Sequence, residues 1–198
     1  MDDDAALISR LLDVIESDVV PLTRDRVTTG NKVFGAAILR KSDRAVVVAE
    51  SNFETENPLW HGEVHALKTF YEIPAEERPA TKDCLFLATH EPCSLCLSAI
   101  TWTGFDNFYY LFGYADTEDI FNIPHDLRIL DEVFEVRNGA YSRQNRYWKS
   151  HSIVGLVDAL SGPEKIVLSE RIGHLEETYR ALSDTYQGSK SESDIPLA

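Results

Sequence analysis

Two short motifs, His61-Gly62-Glu63 and Pro92-Cys93-Ser94-Leu95-Cys96, constrain this chain more than any other feature, because each stands where a helix begins. After the first, Val64, Leu67, Phe70 and Tyr71 recur at helical spacing up to Pro74; after the second, an apolar stretch runs to about Thr103. Between them Cys84 to Thr89 reads as a buried strand, and Phe105 to Gly113 reads as a further, aromatic-rich strand. Strand, helix, strand is a βαβ unit, whose crossover is right-handed. Upstream, Lys32 to Leu39 and Ala45 to Ala49, joined by Lys41-Ser-Asp-Arg44, read as a β-hairpin. Leu7, Leu11, Ile15 and Val19 form the apolar stripe of a first helix that Pro21 ends or follows. Alternating βα units need helices on both sheet faces, so the predicted fold is α/β: a three-layer α/β/α sandwich with a mixed sheet of about five strands. Past residue 114 the pattern weakens: 127–136 fits a short helix or a last strand, and helices are predicted over 142–160 and 163–183.

The residue types at the two helix starts carry chemistry. Cys93 and Cys96 lie three apart, so both thiols face one side of a helix start, where free N–H groups favour the thiolate form. Such a pair alone also fits a structural zinc half-site, a redox pair or two buried small residues. With His61 the set becomes one imidazole and two thiolates, the number of protein ligands a catalytic zinc keeps when its fourth position is left to water. Glu63, two residues on, is placed to take and return a proton without coordinating. His65 would complete a four-ligand structural site, but His61-x-Glu63-x-His65 does not match the H-E-x-x-H of metalloproteases, and His65 is assigned to packing. Cys84 in its apolar strand reads as core, and His90, His125, His151 and His174 are scattered.

Composition narrows the partners. The formal charge of −14, from 33 Asp+Glu against 19 Lys+Arg, repels phosphate backbones, so nucleic acid is disfavoured. Three cysteines make no extracellular disulfide framework. The Met-Asp-Asp-Asp start lacks a basic segment and no apolar run approaches a membrane span, so a soluble, cytoplasmic protein is expected.

H-x-E followed by P-C-x-x-C is the signature of the zinc deaminases, and the chain resembles the cytidine deaminase-like superfamily, in the branch holding cytosine, guanine and tRNA adenosine deaminases. Phe34-Gly-Ala-Ala37, Asn52 and Ala99-Ile100 add to the likeness, which covers about residues 5–135. His-Gly-Glu is similar to fungal cytosine deaminase, whereas Trp102 after Ala-Ile is more like guanine deaminase. Asn52 stands two positions closer to the histidine than in those relatives, and the helical tail is longer; both leave the metal chemistry alone and open the substrate's identity.

The resemblance implies zinc on His61, Cys93 and Cys96, with Glu63 acting as base and then acid while an exocyclic amine leaves as ammonia. It implies that the Gly62 backbone N–H and the Asn52 side chain hold the substrate edge. Phe34, Trp60, Phe112 and Tyr114 are candidate stacking faces and equally candidate core residues. Asp116 and Asp119 are candidate acceptors or solvated loop residues. The expected division is a cytidine deaminase-like zinc domain over 1–138, a helical extension over 139–186 and a disordered tail over 187–198.

The expected substrate is a small heterocyclic base such as cytosine, guanine or a related amino-heterocycle. The alternatives are a tRNA adenosine deaminase, which needs a Lys/Arg stripe by the site, and a non-catalytic zinc-stabilised interaction protein. A homodimer is expected, with Phe105 to Gly113 and the added helices supplying apolar surface. Tyr141, Tyr147, Trp148 and Tyr179 either cover core or lend one aromatic as a lid over the substrate.

Overall fold

Alternation of side chains along the central strands builds two cores, one on each face of a single sheet. In the computed structural model, which describes residues 2–119, 121, 123–192 and 194–197, β1 (Gly35–Arg40) and β2 (Val46–Ser51) form the expected antiparallel hairpin. β1 pairs antiparallel with β3 (Cys84–His90), β3 pairs parallel with β4 (Asn107–Phe112), and β4 pairs parallel with β5 (Lys149–Ser152), giving the order β2-β1-β3-β4-β5. Ala37, Leu39, Leu85, Leu87, Tyr109 and Leu111 point to one face, and Ala36, Ile38, Phe86, Ala88, Phe108 and Tyr110 to the other, as a period of two requires.

Helices α1 (Asp2–Val14), α2 (Val20–Val27), α7 (Ile153–Asp158) and α8 (Pro163–Ser189) pack on the first face. Helices α3 (Gly62–Glu72) and α4 (Ser94–Thr103) cover the second. Short α5 (Tyr114–Asp119) and α6 (His125–Phe134) follow β4, so the segment over 127–136 is helix rather than strand. The result is the expected α/β/α sandwich on a five-stranded mixed sheet.

Three elements differ from the sequence reading. Pro21 does not end the first helix: a π-helical turn over Ile15–Val19 links α1 to α2. A widened turn relieves the clash of the proline ring with the carbonyl four residues back, so the chain stays helical to Val27. The second difference lies in 142–160, predicted helical, which contains the edge strand β5. Lys149-Ser-His-Ser152 has no strand-like apolar pattern, but the outer edge of β4 offers unpaired backbone groups, and Asn107–Tyr110 pair with Lys149–Ser152 to satisfy them. β4 is thereby an interior strand with all six residues buried, so Phe105 to Gly113 does not supply the outer apolar surface expected of it. Third, α8 runs past Ser183 to Ser189, burying Leu168, Leu175, Tyr179, Leu182 and Tyr186 on one stripe. No helix among the described residues is long and apolar enough to cross a membrane.

Candidate metal centre and adjoining cavity

His61 and Cys93 occupy the same structural position, the extended residue immediately before a helix, with φ/ψ of −60/154° ahead of α3 and −65/173° ahead of α4. Neither side chain caps its own helix; the two turn towards each other instead. Glycine at 62 is a packing requirement, since a Cβ there would stand 2.6 Å from the Gly35 Cα where β1 begins. Tyr114 braces the second helix start from below by donating its hydroxyl to the Pro92 carbonyl oxygen at 2.6 Å.

The three donor atoms converge. Cys93 Sγ lies 3.4 Å from His61 Nδ1 and 3.6 Å from Cys96 Sγ, and Cys96 Sγ lies 3.8 Å from His61 Nδ1. Zn–S bonds of about 2.3 Å and Zn–N bonds of about 2.0–2.1 Å at tetrahedral angles demand S···S near 3.8 Å and S···N near 3.6 Å. The observed triangle therefore fits the edge lengths of a zinc site, and the sulfurs are far too distant for a disulfide, which needs about 2.05 Å. Among the described residues these three form the group able to hold a metal ion.

The electrostatics suit a cation as well. The Cys96 thiol, against the cost of burial and with help from His61, holds the Cys93 thiol well below its ordinary range. Burial and the adjacent Cys93 push Cys96 the other way. Burial disfavours charge on His61, but contact with Cys93 outweighs it and raises the ring to about 9. Glu63 is buried, and its carboxylate accepts from the Cys96 thiol at 3.3 Å. Burial first and the Cys93 charge second lift its pKa to about 7, where a carboxylate can both take and give a proton near neutrality.

Beside the triangle lies a cavity of about 280 Å³ lined by His61, Cys93, Phe34, Leu59, Leu95, Ile123, Ile129, Ile195 and Leu197, with Lys32, Glu54, His125 and Asp126 as its charged or titratable members. Of the candidate stacking residues only Phe34 lines it. Trp60 instead stacks on His65 at 5.5 Å, Phe112 is buried among His90, Phe121 and Tyr179, and Tyr114 serves the Pro92 turn. Asp116 accepts from the Gly113 N–H at 2.8 Å, while the side chain of Asp119 lies outside the described residues. Gly62 and Asn52 are brought together, but bonded to each other: the Gly62 N–H donates to Asn52 Oδ1 at 2.6 Å, and Asn52 Nδ2 donates to Glu54 at 2.9 Å. His65 packs, as expected, between Ser51, Arg26 and Glu50.

None of the four tail aromatics lines this cavity: Tyr179 is core, Tyr141 donates to Glu91, Trp148 donates to Thr101, and Tyr147 is exposed. Ile195, Pro196 and Leu197 cover that side instead. Sequence reasoning missed Lys32, Glu54, His125 and Asp126. The first two had a signal in the form of opposite charges two positions from Phe34, just before β1, and from Asn52, just after β2. The last two lie past residue 114, where the pattern weakens, in a polar stretch just before the segment over 127–136.

Residues 17–112 match the cytidine and deoxycytidylate deaminase zinc-binding region. Among solved structures, a mutant of NE0047 in complex with 8-azaguanine superposes with a TM-score of 0.51 at 18% identity, covering 86% of this chain and 80% of that one. A guanine deaminase from Nitrosomonas europaea gives 0.49 at 19% identity, with coverages of 78% and 81%. A tRNA A34 deaminase gives 0.48 at 18%, with coverages of 68% and 92%. No curated protein matches the sequence. The His61, Cys93 and Cys96 group is consistent with the zinc site of the matched family. Over residues 17–112 this chain is therefore similar to the zinc-binding region of cytidine and deoxycytidylate deaminases.

Proposed function

We propose that the protein is a zinc-dependent aminohydrolase that removes the exocyclic amine of a small, unphosphorylated heterocyclic base, such as cytosine, guanine or a related amino-heterocycle. The observation that carries this reading is the convergence of His61 Nδ1, Cys93 Sγ and Cys96 Sγ at zinc-site distances, with buried Glu63 against Cys96 and a small cavity opening beside them. Zinc bound by those three residues supplies the polarisation that brings the pKa of a water towards about 7. Glu63 takes the proton from that water as its oxygen bonds to the ring carbon, and the electron pair of the ring C=N bond moves to nitrogen. Glu63 passes that proton to the ring nitrogen, then takes the proton of the newly added hydroxyl and gives it to the exocyclic amine; as the hydroxyl oxygen forms the C=O bond, the C–N bond breaks and ammonia leaves.

The cavity supports a base rather than a nucleotide or an RNA. At about 280 Å³ it stands at the bottom of the usual range of ligand pockets, about 300–1,000 Å³. Lys32 is the one Lys or Arg among its described lining residues, and it is already paired with Glu54 at 2.6 Å. A phosphate would therefore meet Glu54 and Asp126 without a free cation, in a chain of net charge −14. The carboxyl of Asp126 and the ring of His125 suit N–H and carbonyl groups of a base edge. The 8-azaguanine carried by NE0047 belongs to this class of ligand.

The same reading includes a homodimer working in a reducing compartment such as the cytoplasm, where thiolate ligands survive. α4 carries no charged residue and leaves Leu95 exposed and Trp102 90% exposed, a face through which two chains of charge −14 can approach. Sedimentation of the Trp102→Lys variant tests it: a monomer supports this face, and an unchanged dimer excludes it.

The test of function is ammonia release from nucleobases, nucleosides and amino-heterocycles by the zinc-loaded protein. Turnover of a free base with silence on adenosine-bearing RNA is the expected outcome. Turnover of RNA alone would reverse the substrate assignment, and silence throughout with zinc bound would favour a non-catalytic interaction protein.

A further inference from the structure

A buried ion pair stands behind the metal ligand that α3 presents, and the proposed zinc chemistry does not account for it. Glu54 is 2% exposed and Lys32 is 6% exposed. Burying two charges is costly unless every lone pair and proton finds a partner. Here Glu54 Oε1 accepts from Lys32 Nζ at 2.6 Å, and Glu54 Oε2 accepts from the Lys32 backbone N–H at 3.2 Å and from Asn52 Nδ2 at 2.9 Å. Asn52 in turn accepts from the Gly62 N–H at 2.6 Å. The chain of bonds thus runs from β1's approach, through the end of β2, into the first N–H of α3, the turn that carries His61 and Glu63.

One contact of Glu54 is left over. Its Oε1 faces His61 Nε2 at 3.9 Å, on the side of the ring opposite Nδ1, the atom directed at Cys93 and Cys96. Coordination through Nδ1 requires the ring proton to sit on Nε2, and a buried carboxylate facing that nitrogen selects this tautomer and raises the basicity of the other.

Resting on the zinc reading above, we infer that Glu54, neutralised by Lys32 and steadied by Asn52, is a positioning residue that fixes the tautomer and orientation of His61 for metal binding. The pair is retained because it acts on the ligand, not because it stabilises the fold: an apolar pair of similar volume would serve the fold as well or better.

The experiment compares zinc affinity, by chelator competition, in wild type and in the Lys32→Met/Glu54→Gln double variant. The double change preserves net charge and side-chain volume, and the amide introduced by Glu54→Gln keeps an acceptor for Asn52. A 10–100-fold loss of zinc affinity is expected, the usual consequence of removing such a partner, with Glu54→Asp falling between. Affinity within threefold of wild type would overturn the assignment. A second readout needs no variant: in the zinc-loaded wild type, ¹H–¹⁵N spectra should show the His61 proton on Nε2, slow to exchange and shifted as a carboxylate-bonded imidazole. A rapidly exchanging Nε2 proton overturns the inference. Failure of the wild type itself to bind zinc would instead remove the zinc reading, so the two failures are distinguishable.

Discussion

The two walls of the cavity are built on different principles. The metal wall comes from two helix starts, His61 before α3 and Cys93 before α4, each following an ordered approach and each held by bonds that leave little freedom: Gly62 to Asn52, Asn52 to Glu54, Tyr114 to the Pro92 carbonyl. The opposite wall is assembled from Ile123, Asp126 and Ile129 after β4 and from Ile195 and Leu197 near the C-terminus, mostly by apolar contact. The difference teaches where each property resides. Chemistry that depends on ångström-scale geometry is placed on the polar, over-bonded wall, and the choice of ligand is left to the apolar one.

The largest effect expected from breaking the metal wall is that of Cys93→Ala, which removes the ligand that lies nearest to both others. The variant should purify without zinc and without turnover, read by metal analysis and ammonia release; full zinc occupancy would take Cys93 out of the site. Glu63→Gln comes next and sharpens the division within that wall. It should keep zinc and fold while turnover falls by roughly 10²–10⁴-fold, the range for loss of a general acid–base group. Loss of the metal with it would make Glu63 a ligand instead.

The apolar wall should answer in a different kinetic constant. Ile195→Ser removes buried apolar surface facing the ligand, roughly 1–2 kcal/mol of contact, so KM should rise about tenfold with kcat unchanged. A fall in kcat with KM unchanged would place Ile195 in the chemistry and erase the distinction between the walls.

The metal wall is also the part that is legible in the sequence, for a physical reason. His61, Glu63, Cys93 and Cys96 are chemical types set at local positions, helix starts, that periodicity can find. The apolar wall is not, because Ile123, Asp126 and Ile195 reach the cavity only through the return of the chain over the sheet. Aromatic type was a poor guide in the same way: Trp60, Phe112 and Tyr114 carry stacking faces, but nothing local states that they turn onto His65, into the core and under Pro92. Strand β5 shows the limit for the fold, since Lys149-Ser-His-Ser152 becomes a strand through the edge it completes and not through its own preferences.

A smaller effect comes from the core behind the cavity. His90 lies tilted against Phe34 with ring centroids 4.0 Å apart and sits among Phe112, Phe121 and Tyr179, its Nε2 having no hydrogen-bond partner among the described residues. Burial drives its pKa well below the ordinary 6.5. The unfolded chain therefore binds a proton that the folded one refuses, so His90 should cost stability as pH falls below about 6.5 and nothing above it. Thermal unfolding of His90→Phe against wild type should show a flatter acid limb between about pH 6.5 and 5. Parallel limbs would mean that His90 is protonated in the fold.

An open zinc site is the centre of this mechanism, and X-ray absorption at the zinc edge of the loaded protein tests it most directly. The prediction is a four-coordinate ion with two sulfurs at about 2.3 Å and two lighter atoms at about 2.0–2.1 Å, one a histidine nitrogen and one a solvent oxygen. A closed shell of two sulfurs and two histidine nitrogens, unchanged by any ligand, would contradict it and make the centre structural.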